Sequence, residues 1–201
     1  MNKGNLFIIS GPSGSGKDTV LAGVFKKFPE LKFSISVITR PMREGETPDG
    51  KYRFISVDEF KKMIDNGELL EHNVFVGNYY GTPKDYVINQ LNNGFDVIVE
   101  VDVNGAEQIR EKMPEAISVF ILPPSFNVLK ERLSKRGTET TENLNKRLNA
   151  SLIEIEKAKD YDFVVINDNI DDAIDGFSSI IKAVRQKTAQ NLQLIDNIIN
   201  K

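Results

Sequence analysis

The chain has 201 residues, 26 of them basic and 29 acidic, a net charge of −3, no cysteine and one histidine, His72. These counts exclude disulfides, thiolate metal sites and cysteine nucleophiles, and they rule out any multi-histidine metal centre. The balanced charge gives no footprint for nucleic acid or a membrane surface. No apolar run approaches the roughly 20 residues that a membrane span needs. The stretch Leu6–Ile9 is too short for the apolar core of a signal peptide, so a cytoplasmic protein is expected. A chain of this length buries about 70% of its unfolded surface and needs no covalent staples.

Apolar runs alternate with helical patterns, which predicts an α/β fold with a mainly parallel sheet. Leu6–Ile9 reads as a buried strand. Residues 17–28 read as a helix with Val20, Leu21, Val24 and Phe25 on one face, stopped by Pro29. Further buried strands are predicted over Phe95–Val101, Ala116–Leu122 and Phe163–Ile166, with helices over 104–112, 126–136 and 145–159. Residues 34–82 break this rhythm, with Pro and Gly among short alternating runs that favour antiparallel hairpins. A helix inside them starts at the capping box Ser56-Val-Asp-Glu59, with Phe60, Met63 and Ile64 as its apolar face. Residues 137–144 are polar and read either as a lid or as a solvated loop. A helical stripe runs through Ile174, Phe177, Ile181, Val184, Leu192, Ile195 and Ile199.

The segment Gly11-Pro-Ser-Gly-Ser-Gly16-Lys17 fits G-x-x-x-x-G-K, placed after a buried strand and at the start of a helix. Glycines let the backbone wrap so that N–H groups point inward. The helix N-terminus and the lysine ammonium add positive potential for phosphate. Asp18 stands where a serine or threonine is usual, followed by Thr19, so the hydroxyl that ordinarily meets Mg²⁺ is out of place. Asp102-Val-Asn-Gly105 matches D-x-x-G, but no N-K-x-D follows, which argues against a GTP-hydrolysing switch. Of eight arginines, five fall in two clusters, Arg40 with Arg43, and Arg132, Arg136 and Arg147. Arginine's planar fork suits phosphate oxygens, and a kinase for a phosphorylated acceptor needs two such groups. One holds the acceptor phosphate. The other neutralises the phosphoryl group in transit.

Along nearly its whole length the chain resembles the guanylate kinase family. The matching stretches are GPSGSGK at 11–17, SISVITRPMREGE at 34–46, VDEF at 57–60, GNYYGT at 77–82, EVDVNG at 100–105, RGTET at 136–140, NKRL at 145–148 and INDN at 166–169. The resemblance implies ATP-dependent phosphorylation of GMP to GDP, with Mg²⁺ as cofactor; the sequence leaves dGMP open as a second acceptor. It implies a P-loop core with a mixed GMP-binding insertion and a short lid. The core then covers 1–33, 84–133 and 149–201, the insertion 34–83 and the lid 134–148. It assigns Gly11, Pro12, Ser13, Gly14, Ser15, Gly16, Lys17, Asp18, Thr19 and Asn167 to ATP. To GMP it assigns Ser36, Arg40, Arg43, Glu46, Tyr52, Glu71, Tyr80, Thr82 and Asp102. Lys17, Arg40, Arg132, Arg136 and Arg147 become catalytic. Asp18, Thr19 and Glu100 are candidates to reach Mg²⁺ through water, Glu100 standing where aspartate is common.

The chemistry of the base agrees with Glu71. A carboxylate accepts from guanine N1–H and the exocyclic amine together, whereas adenine leaves it unpaired. Two alternatives stay open at this level: a kinase for another nucleoside monophosphate, and a non-catalytic binding module built on the same fold. The sequence leaves monomer and homodimer equally open.

Overall fold

Five consecutive buried residues, Leu6–Ser10, form β1 and lead into the glycine-rich loop. In the computed structural model, which describes residues 3–43, 45–47, 50–135 and 141–200, α1 (Lys17–Lys27) follows that loop. Then come β2 (Lys32–Phe33), β3 (Ser36–Ile38), β4 (Tyr52–Phe54), α2 (Val57–Asp65), β5 (Leu69–Phe75), β6 (Asn78–Pro83) and α3 (Lys84–Asn92). The second half holds β7 (Val97–Glu100), α4 (Val103–Lys112), β8 (Ile117–Leu122), α5 (Phe126–Ser134), α6 (Thr141–Glu156), β9 (Phe163–Ile166), α7 (Ile170–Arg185) and α8 (Leu192–Ile199). The main sheet has strand order β2-β7-β1-β8-β9, and its pairs β2–β7 and β8–β9 are parallel. This is the α/β architecture that the alternating pattern predicts. Among the described residues, no helix is long and apolar enough to cross a membrane.

The chain divides into two compact units. The first comprises Lys3–Ile8 and Leu31–Ala116 and holds a four-stranded sheet of order β4-β3-β6-β5. Val37, Phe60 and Leu69 form the apolar centre under that sheet, flanked by Ile55, Met63, Ile64 and Tyr79. Ser56 caps α2 by accepting from the Glu59 N–H at 3.1 Å, as the capping box predicts. The expectation of antiparallel hairpins holds for β5–β6 and fails for β3–β4, which run parallel with Ser36 opposite Tyr52. The long connection from Ile38 to Tyr52 carries the chain back to the start of its neighbour, and a parallel pair needs such a crossover.

The second unit comprises Ile9–Glu30 and Ile117–Lys201. Here α1 lies against α7 so closely at Gly23 that a Cβ there would fall 2.2 Å from Ile174 Cδ1. Leu129 and Leu133 of α5 pack on Leu148 of α6. The polar run 137–144 is helical from Thr141 onward, and 137–140 lie outside the described residues.

Some boundaries move. β7 starts at Val97 rather than Phe95, because the Asp96 carboxylate accepts from the Asn5 N–H at 2.7 Å and from its side-chain amide at 2.8 Å. α3 was not expected; its buried stripe is only Val87 and Leu91, too sparse to stand out as a period.

Candidate functional site

The loop between β1 and α1 is held by its own backbone. Ser15 N–H donates to Pro12 O at 3.0 Å, and Gly16 ends the loop in the left-handed region at φ 89°. A side chain at Gly16 would be strained there and would fall 2.3 Å from Asn167 Nδ2. A Cβ at Gly11 would meet Ile121 O at 2.3 Å. Both glycines are therefore required by close approach of neighbouring groups. The Gly16 N-cap of α1 has no side chain to bond the helix start, and a helix N-terminus carries positive potential that favours an anion. Lys17 curls back over the loop, and its Nζ donates to Gly11 O at 2.5 Å and Pro12 O at 3.3 Å.

Three residues from later in the chain brace this loop. Asn167, buried just after β9, donates from Nδ2 to Ser15 O at 2.8 Å. Arg132 on α5 donates to Asn167 O at 2.9 Å and to Ser15 O at 3.4 Å. Arg147 on α6 donates to Ser13 Oγ at 2.6 Å. Beside them opens a cleft of about 510 Å³ lined by Gly14, Gly16, Thr19, Arg132, Lys135, Asn167, Asp168 and Ile170. Pocket volumes in this range suit a nucleotide-sized ligand. Asp18 and Thr19 sit exposed on the first turn of α1. Arg136 lies outside the described residues. Lys135, Asp168 and Ile170 were missed from the sequence; adjacency to Asn167 was the signal for the latter two.

The first unit carries a separate polar constellation. Arg40 is 8% exposed and makes a two-pronged ion pair with Glu46, NH1 to Oε2 at 2.7 Å and NH2 to Oε1 at 2.5 Å. Glu46 also accepts from the Arg43 N–H at 2.7 Å. The bonds from Arg40 and then from the Arg43 amide hold the Glu46 carboxyl down to about 2. The Arg40 guanidinium lies over the rings of Tyr52 and Phe54, 5.4 and 5.6 Å from their centroids. Tyr80 is a further hydrogen-bond partner of Arg40, and burial raises the Tyr52 phenol above its ordinary value. Ser36 and Tyr52 face each other across β3–β4.

Glu71 on β5 is buried, 5% exposed, and accepts from Thr82 Oγ1 at 2.7 Å. Burial pushes its carboxyl up to about 7. The Thr82 hydroxyl pulls the other way, the Asp102 charge adds to the rise, and the Lys112 cation opposes it. Asp102 caps α4 by accepting from the Gly105 N–H at 2.8 Å, and its other oxygen accepts from Asn73 Nδ2 at 2.7 Å. The Glu100 carboxylate is paired with Lys51 at 2.8 Å. The first unit thus brings together Ser36, Arg40, Arg43, Glu46, Tyr52 and Tyr80, and places Glu71, Thr82 and Asp102 in one hydrogen-bonded and electrostatic neighbourhood. The backbone of His72, next to Glu71, is held by Gln108.

A parallel α/β sheet whose first strand runs through a glycine-rich loop into a helix, with a nucleotide-sized cleft at that loop, defines a nucleotide-binding protein. The guanylate kinase profile matches residues 3–184, and the chain belongs to the guanylate kinase family. It is 45% identical to the guanylate kinase of Oceanobacillus iheyensis over 92% of this chain and 90% of that one. Identity to the guanylate kinase of Coxiella burnetii is 45%, over 96% and 95% of the two chains. The crystal structure of guanylate kinase from Anaplasma phagocytophilum superposes with a TM-score of 0.74 at 29% identity, covering 94% of this chain and 90% of that one.

Proposed function

We propose a division of labour between these residues for the reaction of the family, transfer of the γ-phosphoryl group of ATP to GMP. The single observation that carries the guanine assignment is Glu71: a buried carboxylate bonded to a neutral hydroxyl rather than neutralised by a bonded cation. Such a group is stabilised by a ligand that brings two N–H donors, as the N1–H and amine edge of guanine does. Ser36 donates to the base carbonyl. Arg40, Arg43, Tyr52 and Tyr80 hold the GMP phosphate, with Glu46 fixing the Arg40 fork, and Asp102 completes the nucleoside site.

The glycine-rich loop acts as a P-loop. Its amides and Lys17 cradle the ATP phosphates, and the cleft beside Asn167 takes the adenosine. A GMP phosphate oxygen attacks the γ-phosphorus, the bond from that phosphorus to the β–γ bridging oxygen breaks, and ADP leaves. The nucleophile is already anionic near neutral pH, so no strong general base is required. Lys17, Arg132, Arg136 and Arg147 neutralise charge on the moving phosphoryl group.

Mg²⁺ fits this site as an ion held mainly by phosphate oxygens and water. Among the described residues, no three acidic or histidine side chains gather to form a cage, and exposed Asp18 and Thr19 stand at the start of α1. The ion supplies further neutralisation of phosphate charge when bound. Acting on ATP and GMP, the protein serves purine nucleotide supply and works in the cytoplasm.

The test is a coupled assay with ATP and GMP, dGMP, AMP, UMP or CMP. A site built to bond the guanine edge should favour GMP over AMP by about 10⁴-fold in kcat/KM. Preference for AMP or UMP would overturn the assignment.

A further inference from the structure

Three residues on one face of α4, spaced i, i+3 and i+7, meet β5 around Glu71. Gly105 faces the carboxylate itself: a Cβ there would lie 2.9 Å from Oε2. Gln108 grips the backbone just after Glu71. Its Nε2 donates to His72 O at 3.0 Å and its Oε1 accepts from the His72 N–H at 3.2 Å, as a neighbouring strand would. Lys112 grips the backbone just before Glu71, its Nζ donating to Leu70 O at 2.7 Å and Leu69 O at 3.2 Å.

The point of attachment is an irregularity in β5. Leu69 faces Pro83 and Glu71 faces Thr82, so Leu70 is the extra residue of a bulge. A bulge re-aims the side chains beside it and leaves main-chain groups that the ladder no longer satisfies. Leu69, Leu70 and Glu71 are all buried, where simple alternation would bury two of the three.

We propose that Gln108 and Lys112 are positioning residues that clamp the β5 bulge and so hold the Glu71 carboxylate aimed at the guanine edge. The inference rests on the reading of Glu71 as the base-recognising group. The charged groups that bear on that carboxyl are Asp102 at the N-terminus of α4 and Lys112 in its last turn, with Thr82 of β6 bonded to it. Lys112 therefore has two effects, one mechanical and one electrostatic, and Gln108 has the first alone.

The experiment uses the full chain with Lys112→Met, Lys112→Arg, Gln108→Met and Glu71→Gln, in steady-state kinetics and in calorimetric titration with GMP. Loss of the clamp bonds should raise the KM for GMP about tenfold in Lys112→Met and Gln108→Met, leaving kcat and the KM for ATP within about twofold. Lys112→Arg, which keeps charge and donors, should restore most of the affinity. Lys112→Met alone should move the fall in GMP affinity to higher pH. Gln108→Met and Lys112→Arg keep the test decisive if Lys112→Met does not fold. Unchanged KM for GMP in the folded variants, or an equal rise for ATP, overturns the positioning role. If Glu71→Gln weakens GMP and ATP alike, the base-recognition reading fails instead.

Discussion

The buried carboxyl of Glu71 should make the ligand-free protein less stable as pH rises, and Glu71→Gln should remove that loss. Its ordinary value of 4.5 rises to about 7 in the folded protein, chiefly through burial. Between those two values the folded state holds a proton that the unfolded state has released. Stability contributed by the protonated form is therefore present below 4.5 and lost as pH climbs through about 7. At roughly 1.4 kcal/mol for each tenfold change in ionisation, the loss amounts to about 3 kcal/mol. That is a large fraction of the 5–15 kcal/mol typical of whole domains, to order of magnitude. Gln is a neutral isostere that still accepts from Thr82. The difference in unfolding free energy between variant and parent should therefore widen by about 3 kcal/mol from pH 4.5 to pH 8. Urea unfolding followed by circular dichroism, without nucleotide, reads that difference. Using the difference cancels every other titrating group.

On the proposed assignment, the same carboxyl should link protons to GMP. Guanine donors stabilise the charged form, so below about pH 7 binding releases a proton and affinity falls by up to about tenfold per pH unit. The GMP phosphate titrates near pH 6 on its own, so the informative quantity is again parent against Glu71→Gln. Calorimetry in two buffers of different ionisation enthalpy reports the proton directly. Parallel stability profiles for the two proteins would refute the reasoning, as would equal proton release on GMP binding.

Lys17→Ala should lower kcat by about 10²–10³-fold while changing unfolding free energy by no more than about 1 kcal/mol, since its bonds are to main-chain oxygens of an already braced loop; parent-like turnover would remove it from the mechanism. Gly16→Ala should raise the KM for ATP and cost about 1–3 kcal/mol of stability, because the new methyl meets both a left-handed backbone and the Asn167 amide. An unchanged melting temperature with unchanged KM for ATP would show that the loop is free to relax.

What could be read from the sequence follows from where each interaction keeps its chemistry. The glycine-rich loop was legible because a tight wrap needs glycine at fixed local spacing, and the structure holds Gly11 and Gly16 against neighbouring atoms closer than a Cβ allows. The capping box at Ser56 was legible for the same local reason. The direction of β4 was not, because a strand's residues look alike in either orientation and the connection decides. Gln108 and Lys112 left no trace either. Their partners are main-chain groups of Leu69, Leu70 and His72, and a carbonyl oxygen has no residue type. The charge of Arg132 suits a phosphate ligand, and its side chain donates to the carbonyls of Ser15 and Asn167. Its side chain links α5 to the loop as well as presenting charge to the cleft.

Two carboxylates of the first unit are driven in opposite directions by their surroundings, and the contrast sorts their roles. Glu46 is held down to about 2 by the Arg40 fork and the Arg43 amide, so it stays ionised throughout the working range. A group of that kind cannot signal ligand arrival. It can keep an arginine, stacked over Tyr52 and Phe54, in one orientation. Glu71 is poised at about 7 with a hydroxyl for its bonded partner, so its charge depends on what arrives. On the proposed assignment of Glu71 to the base, a purine that lacks N–H donors at that edge leaves the ionised carboxylate buried and unpaired, which weakens binding. Discrimination on that assignment should come from an ionisation that guanine's donors complete. On the same assignment, the bonds that Gln108 and Lys112 make to the backbone on both sides of Glu71 would serve to keep its carboxylate aimed.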